Sequence, residues 1–177
     1  MFSIFGRSRT QANRRVIDRL HDDIVAAARR PAFYVDYGVA DTFEGRFELM
    51  TALSGLVLRR LNAAEDPGPA VAQDLVDAIF RRLDPGLREL GVGDLAVPKR
   101  MKKLAQAFTG RCAAYDAGLR EGPESLGAAL VRNVYGGRGP AERLARYAAT
   151  VADGLAGVSL DDLLTRPLPF PDPEAVR

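Results

Sequence analysis

The sequence holds one cysteine, Cys112, one histidine, His21, and no tryptophan. A lone cysteine excludes an intrachain disulfide and gives no sign of an oxidising compartment. A lone histidine excludes a histidine-based catalytic triad and a histidine-rich metal site. No stretch reaches the roughly 18–20 apolar residues that cross a bilayer as a helix. The opening Met1-Phe2-Ser3-Ile4-Phe5-Gly6-Arg7 puts its charge after a short apolar run, the reverse of a secretory signal, which points to the cytoplasm. No Gly-x-x-x-x-Gly-Lys-Ser/Thr phosphate loop is present. Gly91-Val92-Gly93 follows a helical pattern rather than a strand and lacks a third glycine, so it reads as a helix-ending turn. The adjacent acids Asp22-Asp23 and Asp161-Asp162 would point about 100° apart on a helix and cannot converge on a metal. Nothing in the chain supports catalysis, and no cofactor is expected.

What is present suits a folded helical domain. The 177 residues are 47% hydrophobic and 27% charged, enough apolar material for one core without disulfides or metals. The net charge of +2 argues against a dedicated nucleic-acid binder, and no DNA partner is expected, yet residues 1–30 are arginine-rich, with Arg7, Arg9, Arg14, Arg15, Arg19, Arg29 and Arg30. Such an arm attracts anionic lipid or RNA. Its plainer reading is a solvated helix start.

Periodicity predicts an all-α fold, a compact single-domain bundle of about six to eight helices, with no alternating strand pattern. It divides the chain into a basic arm (1–12), a helical domain (13–165) and a proline-rich tail (166–177). A first helix is expected from about Thr10 to Arg30, stopped by Pro31. An aromatic connection through Phe33, Tyr34 and Tyr37 follows. Asp41 or Thr42 caps the next helix, Asp41 and Glu44 having the spacing of a capping box. That helix is apolar over most of its circumference, leaving only a narrow sector around Glu44, Glu48, Gly55, Arg59 and Asn62. It either sits at the centre or leaves a face for a partner. A further helix from about Ala70 to Leu83 breaks at Asp84-Pro85, which starts a short turn of helix from Gly86 to Leu90. Pro98 starts another, with Val97, Met101, Leu104, Phe108, Cys112, Tyr115 and Leu119 on one stripe and Lys99 and Lys103 opposite it. Cys112 there is a small core residue rather than a reactive thiol. Helices are also expected over about 123–135 and 140–155, then a short one capped by Ser159.

Two segments are more specific than their packing needs. One is Phe33-Tyr34, then Gly38-Val39-Ala40-Asp41-Thr42-Phe43-Glu44-Gly45-Arg46-Phe47-Glu48-Leu49. The other is Leu87-Arg88-Glu89-Leu90-Gly91-Val92-Gly93-Asp94-Leu95, then Lys99-Arg100-Met101-Lys102-Lys103 and Ala107-Phe108-Thr109-Gly110-Arg111 with Tyr115. Together they resemble the ubiquinol–cytochrome c chaperone family, over about residues 17–120. The resemblance implies an all-helical chaperone that binds newly made cytochrome b and promotes assembly of the cytochrome bc1 complex. In mitochondria such chaperones work beside the ribosome and with a second small assembly factor. The alanine- and arginine-rich composition fits a bacterial member, cytoplasmic and peripheral on the membrane's inner face. Members often carry a histidine about where this chain has Leu53, a departure that speaks against haem ligation by the chaperone.

The resemblance and the charge pattern nominate partner-binding residues: Phe33, Tyr34, Asp41, Thr42, Arg46, Phe47, Lys99, Lys102, Lys103, Arg111 and Tyr115. Each also has a plainer role: caps for Asp41 and Thr42, core anchors for Phe33, Tyr34 and Phe47, and solvated positions for Lys99 and Lys103. Arg46 stands between an ion pair with Asp41 or Glu48 and a partner contact. The apolar second helix would hold hydrophobic client segments, and the basic residues, with the arginines of the first 30 residues, would orient the chain at an anionic leaflet at about 1 kcal/mol each. The same charges suit ribosomal RNA. Two further readings are therefore a ribosome- or RNA-associated helical protein and a helical carrier of a lipophilic ligand such as quinone or haem.

Overall fold

The computed structural model describes residues 3–89 and 96–176. The described residues form eight α-helices: α1 (Ser3–Ala28), α2 (Ala32–Val35), α3 (Phe43–Asn62), α4 (Gly68–Glu89), α5 (Val97–Glu121), α6 (Pro123–Asn133), α7 (Glu142–Ala156) and α8 (Leu160–Thr165). No strand occurs among the described residues. The all-α expectation holds. The side chains of the basic arm and the expected Gly91-Val92-Gly93 turn fall outside the described residues.

α3 is the axis of the bundle. It packs against α1, α4, α5 and α7, and every residue from Thr51 to Leu58 is buried. The apolar circumference that the sequence offers as a client surface is therefore taken up by four neighbouring helices, and α3 reaches the surface at its two ends, with Phe43, Arg46 and Met50 at the first and Asn62 at the last. Even Gly55, on the expected polar sector, is buried, because α5 presses Cys112 against it; a Cβ there would stand 3.3 Å from the Cys112 Sγ.

The start of α3 is set by Thr42, whose hydroxyl accepts a hydrogen bond from the Gly45 amide at 3.1 Å. That assigns Thr42 as the N-cap and puts Gly45, not Glu44, at the third helical position. The Asp41–Glu44 capping box consequently does not form. Gly45 is required for a different reason. A Cβ there would lie 2.0 Å from the Ala40 carbonyl oxygen, a backbone atom that cannot swing aside. Gly45→Ala is expected to destabilise the fold by about 2–3 kcal/mol despite alanine's better helix propensity. Thermal melting of the variant checks this, and an unchanged midpoint would refute it.

Two boundaries differ from expectation. α1 begins at Ser3 rather than near Thr10. α4 stays helical through Pro85 to Glu89 instead of breaking there. Pro85 is exposed and close to the helix end, where losing one backbone donor leaves few later turns to disrupt.

The last residues pack back on the bundle. Leu168 and Pro173 are buried, and the carbonyls of 166–176 are held by side chains from α1, the α2–α3 connection and α7. Arg30 donates to Pro171 O at 2.5 Å, Tyr37 to Pro173 O at 2.7 Å and Tyr147 to Pro171 O at 3.1 Å. The Leu168 amide donates to Asp23 at 3.0 Å. Beneath this strap Phe33, Tyr37 and Tyr147 form an edge-to-face aromatic cluster, with Phe33 and Tyr147 centroids 4.9 Å apart. Among the described residues no helix is long and apolar enough to cross a membrane.

Candidate functional site

The outward end of α3 meets α1 and α4 at an open groove of about 360 Å³. α1 contributes His21 and Val25, and the turn after it Arg29, at four-residue spacing, one step round from the buried Ile17–Leu20–Ile24 stripe of α1. α3 contributes Phe43, Arg46, Phe47 and Met50, and α4 contributes Ile79, Arg82 and Leu83. Tyr34 of α2 closes one end. The result is an apolar floor with guanidinium groups around it.

The charges differ in how they are held. Arg82 reaches Asp18 at 2.7 Å and Asp22 at 2.5 Å, and also contacts His21 Nδ1 at 2.7 Å. Burial, and then the neighbouring Arg82 cation, lower the His21 pKa against the opposing pull of Asp22, so the imidazole is neutral near pH 7. His21 Nδ1 stands between the Arg82 guanidinium and the Asp22 carboxylate, the latter at 3.2 Å. Arg46 pairs with Asp41 at 2.6 Å and lies 5.4 Å from the Tyr34 ring centroid. Both members of that pair are exposed, so it contributes little to stability and does not remove the guanidinium from the surface. Arg29 has no carboxylate partner among the described residues, which leaves it available to an incoming acidic group.

The start of α5 adjoins the groove. Arg100 approaches Glu44 at 3.6 Å and covers the Phe43 ring at 5.8 Å. Lys99, Lys102 and Lys103 are exposed along the same stretch of α5, extending the basic surface beyond the rim.

The fold thus brings Tyr34, Asp41, Thr42, Arg46 and Phe47 to one place, with the three lysines nearby. It separates the other nominated residues. Phe33 is fully buried in the aromatic cluster under the strap. Arg111 pairs with Glu48 across the α3–α5 contact, as a charge contact rather than a well-angled hydrogen bond. Burial raises the Glu48 pKa, with Arg111 opposing the shift. Tyr115 is buried with its hydroxyl lacking a hydrogen-bond partner, and burial pushes its pKa up. In the same seam, burial pushes the Cys112 thiol up to about 12, which keeps it in the unreactive protonated form.

Sequence reasoning missed His21, Val25, Met50 and Arg82, and took Arg29 only together with the other arginines of the first 30 residues. The four-residue spacing on α1 was visible, but nothing local indicates that α4 stands opposite it. Among the described residues no three His, Cys, Asp or Glu side chains gather as a metal site would require.

A model of the ubiquinol-cytochrome C chaperone family matches residues 35–170. The crystal structure of the Cbp3 homolog from Brucella abortus is similar over 100% of both chains, with 36% identity and a TM-score of 0.89. Among curated proteins none matches the sequence significantly. The matched residues take in α3 and its cap, the groove residues of α3 and α4, and the α5–α7 half of the bundle, so the chain belongs to the ubiquinol-cytochrome C chaperone family.

Proposed function

We propose that this chain is a non-catalytic assembly chaperone of the cytochrome bc1 complex that holds newly made cytochrome b in the groove between α1, α3 and α4. The observation that carries the reading is the groove's composition: an apolar floor open at the surface and rimmed by Arg29, Arg46 and Arg82, in a chain of this family. An unassembled membrane subunit exposes hydrophobic segments bounded by polar ends. An apolar floor shields such a segment from water, and rim guanidiniums select and orient its acidic or carbonyl-rich end. The exposed lysines of α5 favour approach to an anionic leaflet, which keeps the chaperone where its client emerges.

A photocrosslinking residue placed at Phe43 or Met50 in the native host tests the reading. Cytochrome b is expected to be captured from both positions and not from Asn62, which is exposed at the far end of α3. Reversing Arg29 and Arg46 together to Glu is expected to weaken capture by about tenfold, with the melting curve unchanged because both groups are exposed. Capture of ribosomal components alone would instead favour an RNA-associated role for the basic surface of α5. Equal capture from Asn62 would remove the groove from the argument.

A further inference from the structure

A second groove, of about 720 Å³, runs between α6 and α7 beside the C-terminal end of α5. Short side chains make its walls: Gly127 and Ala128 from α6, and Ala145 and Ala149 from α7, with Leu126 and Val131 adding apolar surface. Its charged lining is Glu124, Glu142 and Asp153 against one cation, Arg146. The first groove has only cations among its charged lining. The charged side chains that line the two grooves thus differ in sign, with Arg46 and Arg82 of the first paired to Asp41 and to Asp18 and Asp22.

The layout favours a helix lying lengthwise. Glu142, Arg146, Ala149 and Asp153 follow one another along α7 at spacings of four, three and four, so they form one line parallel to the groove. Gly127 adds an independent observation. It sits in the middle of α6, where glycine costs about 1 kcal/mol relative to alanine, yet a Cβ there would meet nothing within 4 Å. Packing within the chain gives no reason for glycine at this position. Gly110 and Gly154 are equally open, so openness alone decides nothing. Gly127 differs in lining a groove between rows of alanine, where a missing side chain lets a second backbone come close.

We infer that the α6–α7 groove docks an amphipathic helix of a partner protein, apolar on the buried side and bearing lysine or arginine toward Glu124, Glu142 and Asp153. Helix-in-groove binding of this kind places side chains at three- and four-residue spacing into the apolar floor. The acidic rim supplies sign selection and a faster encounter. The inference is independent of the client reading of the first groove.

The test uses the full chain and two fluorescent 18-residue peptides with the same Leu/Ala stripe, one with lysines on the polar side and one with glutamates. Anisotropy at physiological ionic strength is expected to show saturable binding of the lysine peptide only. Gly127→Leu, which fills the groove, and the double reversal Glu142→Lys with Asp153→Lys are each expected to weaken it at least tenfold. Gly127→Ala is expected to leave the fold intact or more stable, separating loss of binding from loss of structure. Arg29→Glu, in the other groove, is expected to leave lysine-peptide binding unchanged. Absence of lysine-peptide binding, or binding that survives Gly127→Leu, would overturn the proposal. So would concentration-dependent self-association abolished by Gly127→Leu in sedimentation, since the occupant would then be a second copy of the chain.

Discussion

Replacing Arg111 by methionine is expected to destabilise the fold by about 2–4 kcal/mol near neutral pH. Removing one member of a fully buried ion pair costs about 3–5 kcal/mol, because the remaining charge has no compensation. The figure here is lower because the Arg111 side chain keeps 25% of its surface exposed, against 12% for Glu48. The sign of the pH dependence follows from Glu48. Its folded-state pKa is raised by burial, and without Arg111 it rises further, since the opposing attraction is gone. A raised carboxyl pKa means the folded state binds the proton more tightly than the unfolded state, so the penalty is greatest at high pH and fades as pH falls through the folded pKa. The gap between Arg111→Met and the native chain is therefore expected to narrow between about pH 7.5 and pH 5. Denaturant titrations at the two values check it. Glu48→Gln combined with Arg111→Met is expected to recover much of the loss, since neither charge is then stranded. A single variant as stable as the native chain would mean that the pair contributes nothing. The outcome also bears on function, because a client-capture defect in an Arg111 variant would first have to be separated from unfolding.

Removal of residues 167–177 is expected to lower stability by about 3–5 kcal/mol, a large share of the roughly 5–15 kcal/mol that holds a domain together. The truncation removes buried Leu168 and Pro173 and uncovers Tyr37 and Tyr147, both now almost wholly shielded from solvent. It also takes away the acceptors for Arg30, Tyr37 and Tyr147. Tyr37→Phe and Tyr147→Phe divide the effect: each keeps its ring in the aromatic cluster and loses one hydrogen bond, at about 1 kcal/mol apiece. For a chain of this length the truncation corresponds to a fall in melting temperature of roughly 10–15 °C. A shift under about 3 °C would show that the strap merely rests on the bundle.

The helices were legible because their signals are local. Pro31 ends α1's turn, Thr42 and Ser159 offer capping oxygens, Pro98 and Pro123 sit in first turns, and apolar residues recur at three- and four-residue spacing. Each acts over a few residues of backbone, where the sequence is also the geometry. Pro85 is where that logic overreached. Proline disfavours a helix interior, but near an exposed helix end its cost is smaller than the gain from continuing. The tail is non-helical, as its prolines require; what they do not show is that its extended backbone exposes carbonyls that arginine and tyrosine side chains from distant helices collect.

The candidate site was legible only in part. Tyr34, Asp41, Thr42, Arg46 and Phe47 lie within one short segment and were found together. Arg29 and Arg82 joined them only when α1 and α4 were set against α3. Arg111 left the set because Glu48 stands opposite it; on a wheel it lies at the edge of the apolar stripe of α5, and nothing local shows which residue faces it. By itself the sequence determined the helical class, most helix boundaries and the family. Only the tertiary structure decided which surfaces exist: that α3 is enclosed, and that one groove is lined by arginines and the other mainly by carboxylates. A helical wheel gives the direction of a side chain about its own axis, and the neighbour it meets is chosen by packing with residues far away in the chain.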